Sequence, residues 1–457
     1  MINLSHRLSK DSFYLLNNPD SQKKYLIKYP EKIFNNLADE TKKAWADNLL
    51  YCRTCSLSLV TTKPLYHNIP EPQLAKLIHY GLIKDLPRIS FETGIKTKKL
   101  LAQFWANQKN KKIVFTIKGK GQAALPNKKN LANKAIIAMS FGKDSVLSYG
   151  LAKELGLDCQ LVFINELEEH NSPELKFKMK IIKEFEAKER KKVNLMINNI
   201  DGIFYTKKIK NNIGELENTN ANLSFTLEML PFAYYYQAKY IIIGNECNFK
   251  DYFINDEGFK TYPAYDQSAD YNKIENQHLG RFTNNNLQVM SLVEPIYNLA
   301  EMQILYHRYP QLLQYVMSCY PKPYDPDRWC YACPMCAKAW LYSVAVGGDP
   351  KKIGFNKNLF SKEYQKLYPL FATKVTRLYE KPAAVREEQL LSFLLAYQVG
   401  WRGDLINLFK DKYLDQAKKR EQELRRKFFS IYPMKTIPNN LKSKLTNIFK
   451  QELTALQ

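Results

Sequence analysis

The chain has 457 residues, 45% of apolar type and 13% aromatic, with 68 Lys plus Arg against 45 Asp plus Glu, a formal charge of +23. That length and aromatic content exclude a disordered polyelectrolyte and call for two or three folding units with sizeable cores. No run approaches the roughly 18 apolar residues of a membrane span, and Met1–Lys10 lacks a signal-peptide pattern, so a cytoplasmic protein with no membrane partner is expected.

Residues 1–130 mix short helical patterns with Lys-rich, Pro-containing connections and read as an N-terminal α+β extension serving substrate recognition. It ends in Lys118–Asn130, whose two Gly, one Pro and four Lys suit a linker. Cys52 and Cys55 lack neighbouring partners and read as a reduced structural pair, with a second metal site as the alternative. Residues 131–300 then alternate. Strands are expected at Ala135–Ser140, Cys159–Ile164, Val193–Ile197, Tyr240–Gly244 and Leu287–Ile296. Helices are expected at Val146–Leu155, Pro173–Arg190 and Leu223–Ala238. Apolar strands alternating with helices predict an α/β fold, a doubly wound parallel sheet with its ligand at the carboxyl ends of the strands. A helix from Ala300 to Ser318 leads into a cysteine-bearing module, 301–360. Residues 361–457 read as a basic helical region whose run Lys418–Lys427 is a solvated helix face.

Phosphate chemistry concentrates in Ser140-Phe141-Gly142-Lys143-Asp144-Ser145, which follows a strand and opens a helix. A helix start presents unpaired N–H groups and the positive end of the macrodipole, a ready anion site. Gly142 lets the backbone approach a phosphate, and the Ser140 and Ser145 hydroxyls donate to its oxygens. Lys143 neutralises charge, and Asp144 offers a carboxylate to a phosphate-bridging Mg2+. Lys143, Asp144 and Ser145 are therefore the candidate catalytic residues. Two further polar clusters, Asn165-Glu166 and Gly244-Asn245-Glu246, stand at the carboxyl ends of strands, where the ligand is expected. The spacing is not that of a Walker loop.

Cys330, Cys333 and Cys336, each separated by two residues, can close a tetrahedral site with Cys319. Four thiolates suit structural Zn2+, with an iron–sulfur cluster as the competing occupant.

The six-residue loop resembles the Ser-Gly-Gly-Lys-Asp-Ser PP-loop of the ATP pyrophosphatase (adenine nucleotide alpha hydrolase-like) superfamily. That resemblance implies a PP-loop/HUP-like fold, ATP as co-substrate, and AMP and pyrophosphate as products. Phe141 stands where the usual motif has Gly, which would put a side chain beside the phosphates. The cysteine spacing is similar to that of 7-cyano-7-deazaguanine synthases. Gly244–Glu246, Gln288–Leu305, Arg328–Lys338 and Ile353–Leu359 look like segments of the ATP-dependent UDP-N-acetylmuramoyl-L-alanyl-L-glutamate epimerases. Both resemblances imply adenylation of a substrate carboxylate, followed by amidation or by exchange of the proton beside the activated carbonyl. Asp251, Asp266 and Glu294 are candidate acid–base groups for that exchange. The charge surplus suits anionic partners, either a nucleotide sugar or tRNA, whose bases other superfamily members modify. The reading from a different class is a zinc-stabilised nucleotide- or RNA-binding protein without catalysis.

Overall fold

The apolar runs of the middle third form the parallel heart of one large sheet. The computed structural model describes residues 2–17, 25–126, 128–166, 172–205, 216–319, 321 and 327–457. The strands are β1 (Ile2–Leu8), β2 (Ser12–Asn17), β3 (Tyr25–Lys28), β4 (Leu65–His67), β5 (Ile113–Phe115), β6 (Leu131–Ala138), β7 (Asp158–Asn165), β8 (Val193–Asn198), β9 (Ala238–Ile242), β10 (Phe253–Ile254), β11 (Lys260–Thr261) and β12 (Gln288–Met290). Ten of them make a sheet of order β12-β9-β6-β7-β8-β3-β2-β1-β4-β5, and β10 pairs β11 in a small ribbon. From β12 to β8 every pairing is parallel. The β8–β3, β3–β2 and β2–β1 pairings are antiparallel, and β4 and β5 return to parallel. The fold is thus mixed α/β around a large, mostly parallel sheet.

Both faces of that sheet are covered, which is why its central strands carry no polar alternation. Ala135, Ile137, Leu161 and Tyr240 join a core shared with the C-terminal helices. The neighbouring Ile136, Val162 and Ile241 join a second core built with the N-terminal helices. Taken in chain order, β6, β7 and β8 lie on one side and β9 and β12 on the other, so β6 and β9 flank a topological switch point. Ligands of open α/β sheets bind in the crevice beyond the strand ends at such a point.

Three local expectations change. First, the strands of residues 1–130 extend the central sheet, with Ile27 paired to Asn198. Helix Asp39–Thr54 is tied to helix Ala221–Tyr236 by Trp45 Nε1, which donates to the Leu227 carbonyl at 2.7 Å. Second, the expected strand Leu287–Ile296 contracts to β12, because Ser291 turns out of the ladder and its hydroxyl donates to the Asn245 carbonyl at 2.8 Å. Third, the expected helix Ala300–Ser318 becomes Asn298–His307 followed by a 3-10 turn, Pro310–Tyr315, since Pro310 lacks the N–H that a continuing helix needs.

The C-terminal region contains helices Ala383–Gln398, Asp404–Phe428 and Asn439–Leu453. Arg420 and Lys427 pair with Glu387, and Arg425 pairs with Glu421, so part of the basic run is neutralised within the chain. No described helix is long and apolar enough to cross a membrane. Cys52 and Cys55 are buried and hydrogen-bonded to Asn220, and no third metal ligand joins them among the described residues.

Candidate functional site

The loop between β6 and helix Lys143–Glu154 has Gly142 as the residue before the first helical turn. Ser140 Oγ lies 3.3 Å from Ser145 Oγ and accepts from the Gly142 N–H at 3.3 Å. Both hydroxyls therefore sit at the helix start, where its free N–H groups gather. Phe141 occupies the left-handed region at φ +60°, conformationally suited to Gly, and its ring is fully buried 5.5 Å from Phe185. The expectation of a Phe141 side chain beside the phosphates is corrected: core burial turns the ring inward and offsets the backbone strain.

Ser140, Asp144, Ser145, Glu166, Gly244 and Asn245 line one cleft at the switch point, together with Asn222, Phe225 and Gln267. Phe141 and Asn165 are buried outside that lining. Asn222, Phe225 and Gln267 carry no motif signal and were not anticipated. Gly244 matters through contact: a Cβ there would sit 2.7 Å from Asp144 Cβ, so glycine lets the end of β9 approach the helix start. Gly244→Ala is accordingly expected to displace Asp144 and loosen the start of its helix, read as faster hydrogen exchange across residues 140–147 with circular dichroism unchanged.

Behind the cleft wall, oxygens of Asp144, Glu246 and Glu301 all lie within 4.8 Å of one another. Lys143 Nζ contacts Asp144 and reaches Glu301 Oε2 at 2.9 Å. Glu301 is fully buried, and its Oε1 has no hydrogen-bond partner among the described residues. Burial and the Asp144 charge push the Glu301 carboxyl far up, and the same two causes raise Glu246. Asp144 stays below the usual carboxylate range, because Lys143 and hydrogen bonds outweigh its burial. Three carboxyl groups gathered this closely offer the oxygen ligands that a hard divalent cation takes, its charge would favour their ionised forms, and the unpartnered Glu301 oxygen fits the same role. Glu301 comes from helix Asn298–His307, whose start is held by Glu388, an acceptor for Leu299 N–H and Tyr342 O–H at 2.9 Å each. Its sequence signal was only that it is the single acid of that helix.

The three acid–base candidates have other duties. Glu294 accepts from Lys435 N–H, Thr436 N–H and the Thr436 hydroxyl, pinning the C-terminal segment. Asp251 accepts from Tyr297 O–H, and Asp266 accepts from Asn222 N–H at the start of its helix. None of them lines the cleft.

Under Asn222 lies a buried network in which Glu275 accepts from Asn222, Thr226 and Asn272. Burial pushes Glu275 to about 7 despite those hydrogen bonds, so the native state holds a proton that the unfolded chain, with its ordinary value of 4.5, releases. Its contribution is complete below that unfolded value and is lost as pH rises through about 7. Unfolding free energy from urea titrations is expected to fall between pH 5 and 7, and Glu275→Gln should remove about 1.4 kcal/mol per pH unit of that slope.

The four cysteines converge as their spacing predicts. Cys336 Sγ lies 3.5 Å from Cys319 and Cys333 and 3.7 Å from Cys330, close to the about 3.8 Å edge of a tetrahedron with 2.3 Å zinc–sulfur bonds. Cys330 N–H donates to Cys319 Sγ at 3.1 Å, and Tyr331, at φ +55°, makes the left-handed turn between Cys330 and Cys333. The cluster can hold a metal such as zinc, with four protein ligands and no open position. No protein-family model matches the chain, and no curated protein matches it.

Proposed function

We propose that the chain is a PP-loop-type ATP pyrophosphatase that adenylates a substrate carboxylate. The observation that carries this reading is the double membership of Asp144, which lines the cleft beside Ser140 and Ser145 and belongs to the three-carboxylate cluster. The β8-β7-β6-β9-β12 order, with its switch point at the loop, supports a PP-loop/HUP-like core.

In this reading a substrate carboxylate oxygen attacks the ATP alpha phosphorus, the bond to the alpha–beta bridging oxygen breaks, and pyrophosphate leaves with the electron pair. The free N–H groups at the helix start and the Ser140 and Ser145 hydroxyls hold the departing phosphates. Asp144, Glu246 and Glu301 would hold Mg2+, which supplies charge neutralisation at the leaving group. Lys143 shares these carboxylates and adds its charge to the same region. The acyl adenylate makes the neighbouring C–H more acidic. The favoured outcome is epimerisation of the terminal glutamate of a UDP-muramoyl dipeptide, in which the proton beside the activated carbonyl is removed and returned on the opposite face and water then displaces AMP; amidation, in which ammonia displaces AMP, and tRNA base modification are alternatives that share the ATP chemistry. The four cysteines would carry Zn2+ in a structural role.

The test is product analysis after incubation with ATP and Mg2+ and, separately, UDP-muramoyl dipeptide, carboxydeazaguanine with ammonia, or bulk tRNA. AMP with pyrophosphate in one mixture supports the reaction class and names the acceptor. ADP with phosphate overturns the reading, and ATP binding without cleavage in any mixture favours the non-catalytic binding protein.

A further inference from the structure

We propose that Ser318 and Lys178 are positioning residues through which the metal held by the four cysteines sets the conformation of the phosphate loop, so that metal occupancy and nucleotide binding are coupled. The proposal rests on the phosphate-loop reading for its nucleotide half.

The geometry that points to it is a short run of backbone shared by both sites. Cys319, a cluster residue, directly follows Met317 and Ser318, and both of these are bonded to the loop. Met317 N–H donates to the Phe141 carbonyl at 2.7 Å. Ser318 Oγ accepts from the Lys143 N–H at 3.4 Å and lies 3.5 Å from the point where a Gly142 Cβ would stand. Lys178, buried on helix Pro173–Glu189, donates from one ammonium to the Ser140 carbonyl at 2.5 Å and the Met317 carbonyl at 2.6 Å. The residues on either side of Gly142 are thus held by an extended run of two residues whose next residue is a cysteine of the cluster.

The loop requires such a restraint. Phe141 is held in a left-handed conformation that an L-residue adopts at a cost, and such conformations persist only where the surroundings over-determine them. Cys319 is in turn fixed by the cluster, through the Cys330 N–H and the sulfur of Cys336. Without a metal the four sulfurs lose their common centre, and the run Met317–Cys319 loses the anchor from which it holds the loop. Lys178 extends the tie to a third element, and its loss would leave two carbonyls without their charged donor.

The experiment uses the full chain, zinc-loaded or stripped with chelator, and three readouts: calorimetric binding of an α,β-methylene ATP analogue with Mg2+, zinc affinity by chelator competition, and hydrogen exchange across residues 139–147. Zinc removal is expected to weaken the analogue at least about tenfold, and the analogue should tighten zinc by the same factor, as linkage requires. Ser318→Ala and Lys178→Met should keep full zinc stoichiometry yet lose most of the coupling and exchange faster at 139–147. Equal analogue affinity with and without zinc in folded protein, or full coupling in both variants, overturns the proposal. If stripped protein unfolds, the zinc-loaded variants decide, and if Lys178→Met does not fold, Ser318→Ala does. Should the wild type bind no analogue, the phosphate-loop reading fails separately; zinc-dependent protection at 139–147 would then still support the coupling, and zinc-independent protection would overturn it.

Discussion

Asp144→Asn is expected to lower ATP cleavage about 1,000-fold while leaving the chain folded. Asp144 lies in the first turn of helix Lys143–Glu154, lines the cleft, and contacts the Lys143 ammonium. The amide keeps the shape but removes the carboxylate that stays most readily ionised among the three, so the loss should appear both in turnover at saturating ATP and as a higher Mg2+ requirement. AMP and pyrophosphate release across a Mg2+ titration checks both, with thermal unfolding as the control; unchanged turnover would sink the site assignment. Glu301→Gln should weaken Mg2+ in the same direction while leaving the chain folded, since the amide oxygen can still accept from the buried Lys143 ammonium.

Cys333→Ser should release the metal and cost roughly 4–5 kcal/mol of stability. The cluster organises more than its own turn. Trp329 stacks on Phe355 at 4.3 Å and donates from Nε1 to the Ile353 carbonyl at 2.7 Å, while the Tyr331 hydroxyl accepts from Asn356 N–H at 3.0 Å. Gly354, at φ +91°, lies where a Cβ would come 2.5 Å from the Arg328 guanidinium, so segments Arg328–Lys338 and Ile353–Leu359 pack closely against each other beside the cysteine turn. Metal analysis and thermal unfolding of the purified variant measure the effect. A stable variant that keeps its metal would contradict a structural role, and the same metal analysis of the wild type separates zinc from iron.

Much of the site was legible because its signals are local. A run of apolar residues ending at Ala138, a polar turn and a helix start are neighbours in the chain, so Ser140–Ser145 could be placed at a strand's carboxyl end from pattern alone. The cysteine cluster was legible for the same reason, since pairs separated by two residues can meet one centre within a single turn. The strand ends at Glu166 and Gly244–Asn245 line the same cleft as the loop because parallel strands of one sheet end on one side.

The amino-acid sequence by itself determined the alternating strands and helices from β6 onward, the loop and the four-cysteine spacing, all of which depend on period and short-range separation. Only the tertiary structure decided that β3 pairs with β8, that Phe141 turns into the core, and that Asp251, Asp266 and Glu294 serve as hydrogen-bond anchors. It alone brought Glu301, 158 positions beyond Lys143, to the same ammonium as Asp144, and Ser318 to the loop. These depend on which distant segments cross, and the side-chain partners made at a crossing leave no periodic trace in either segment.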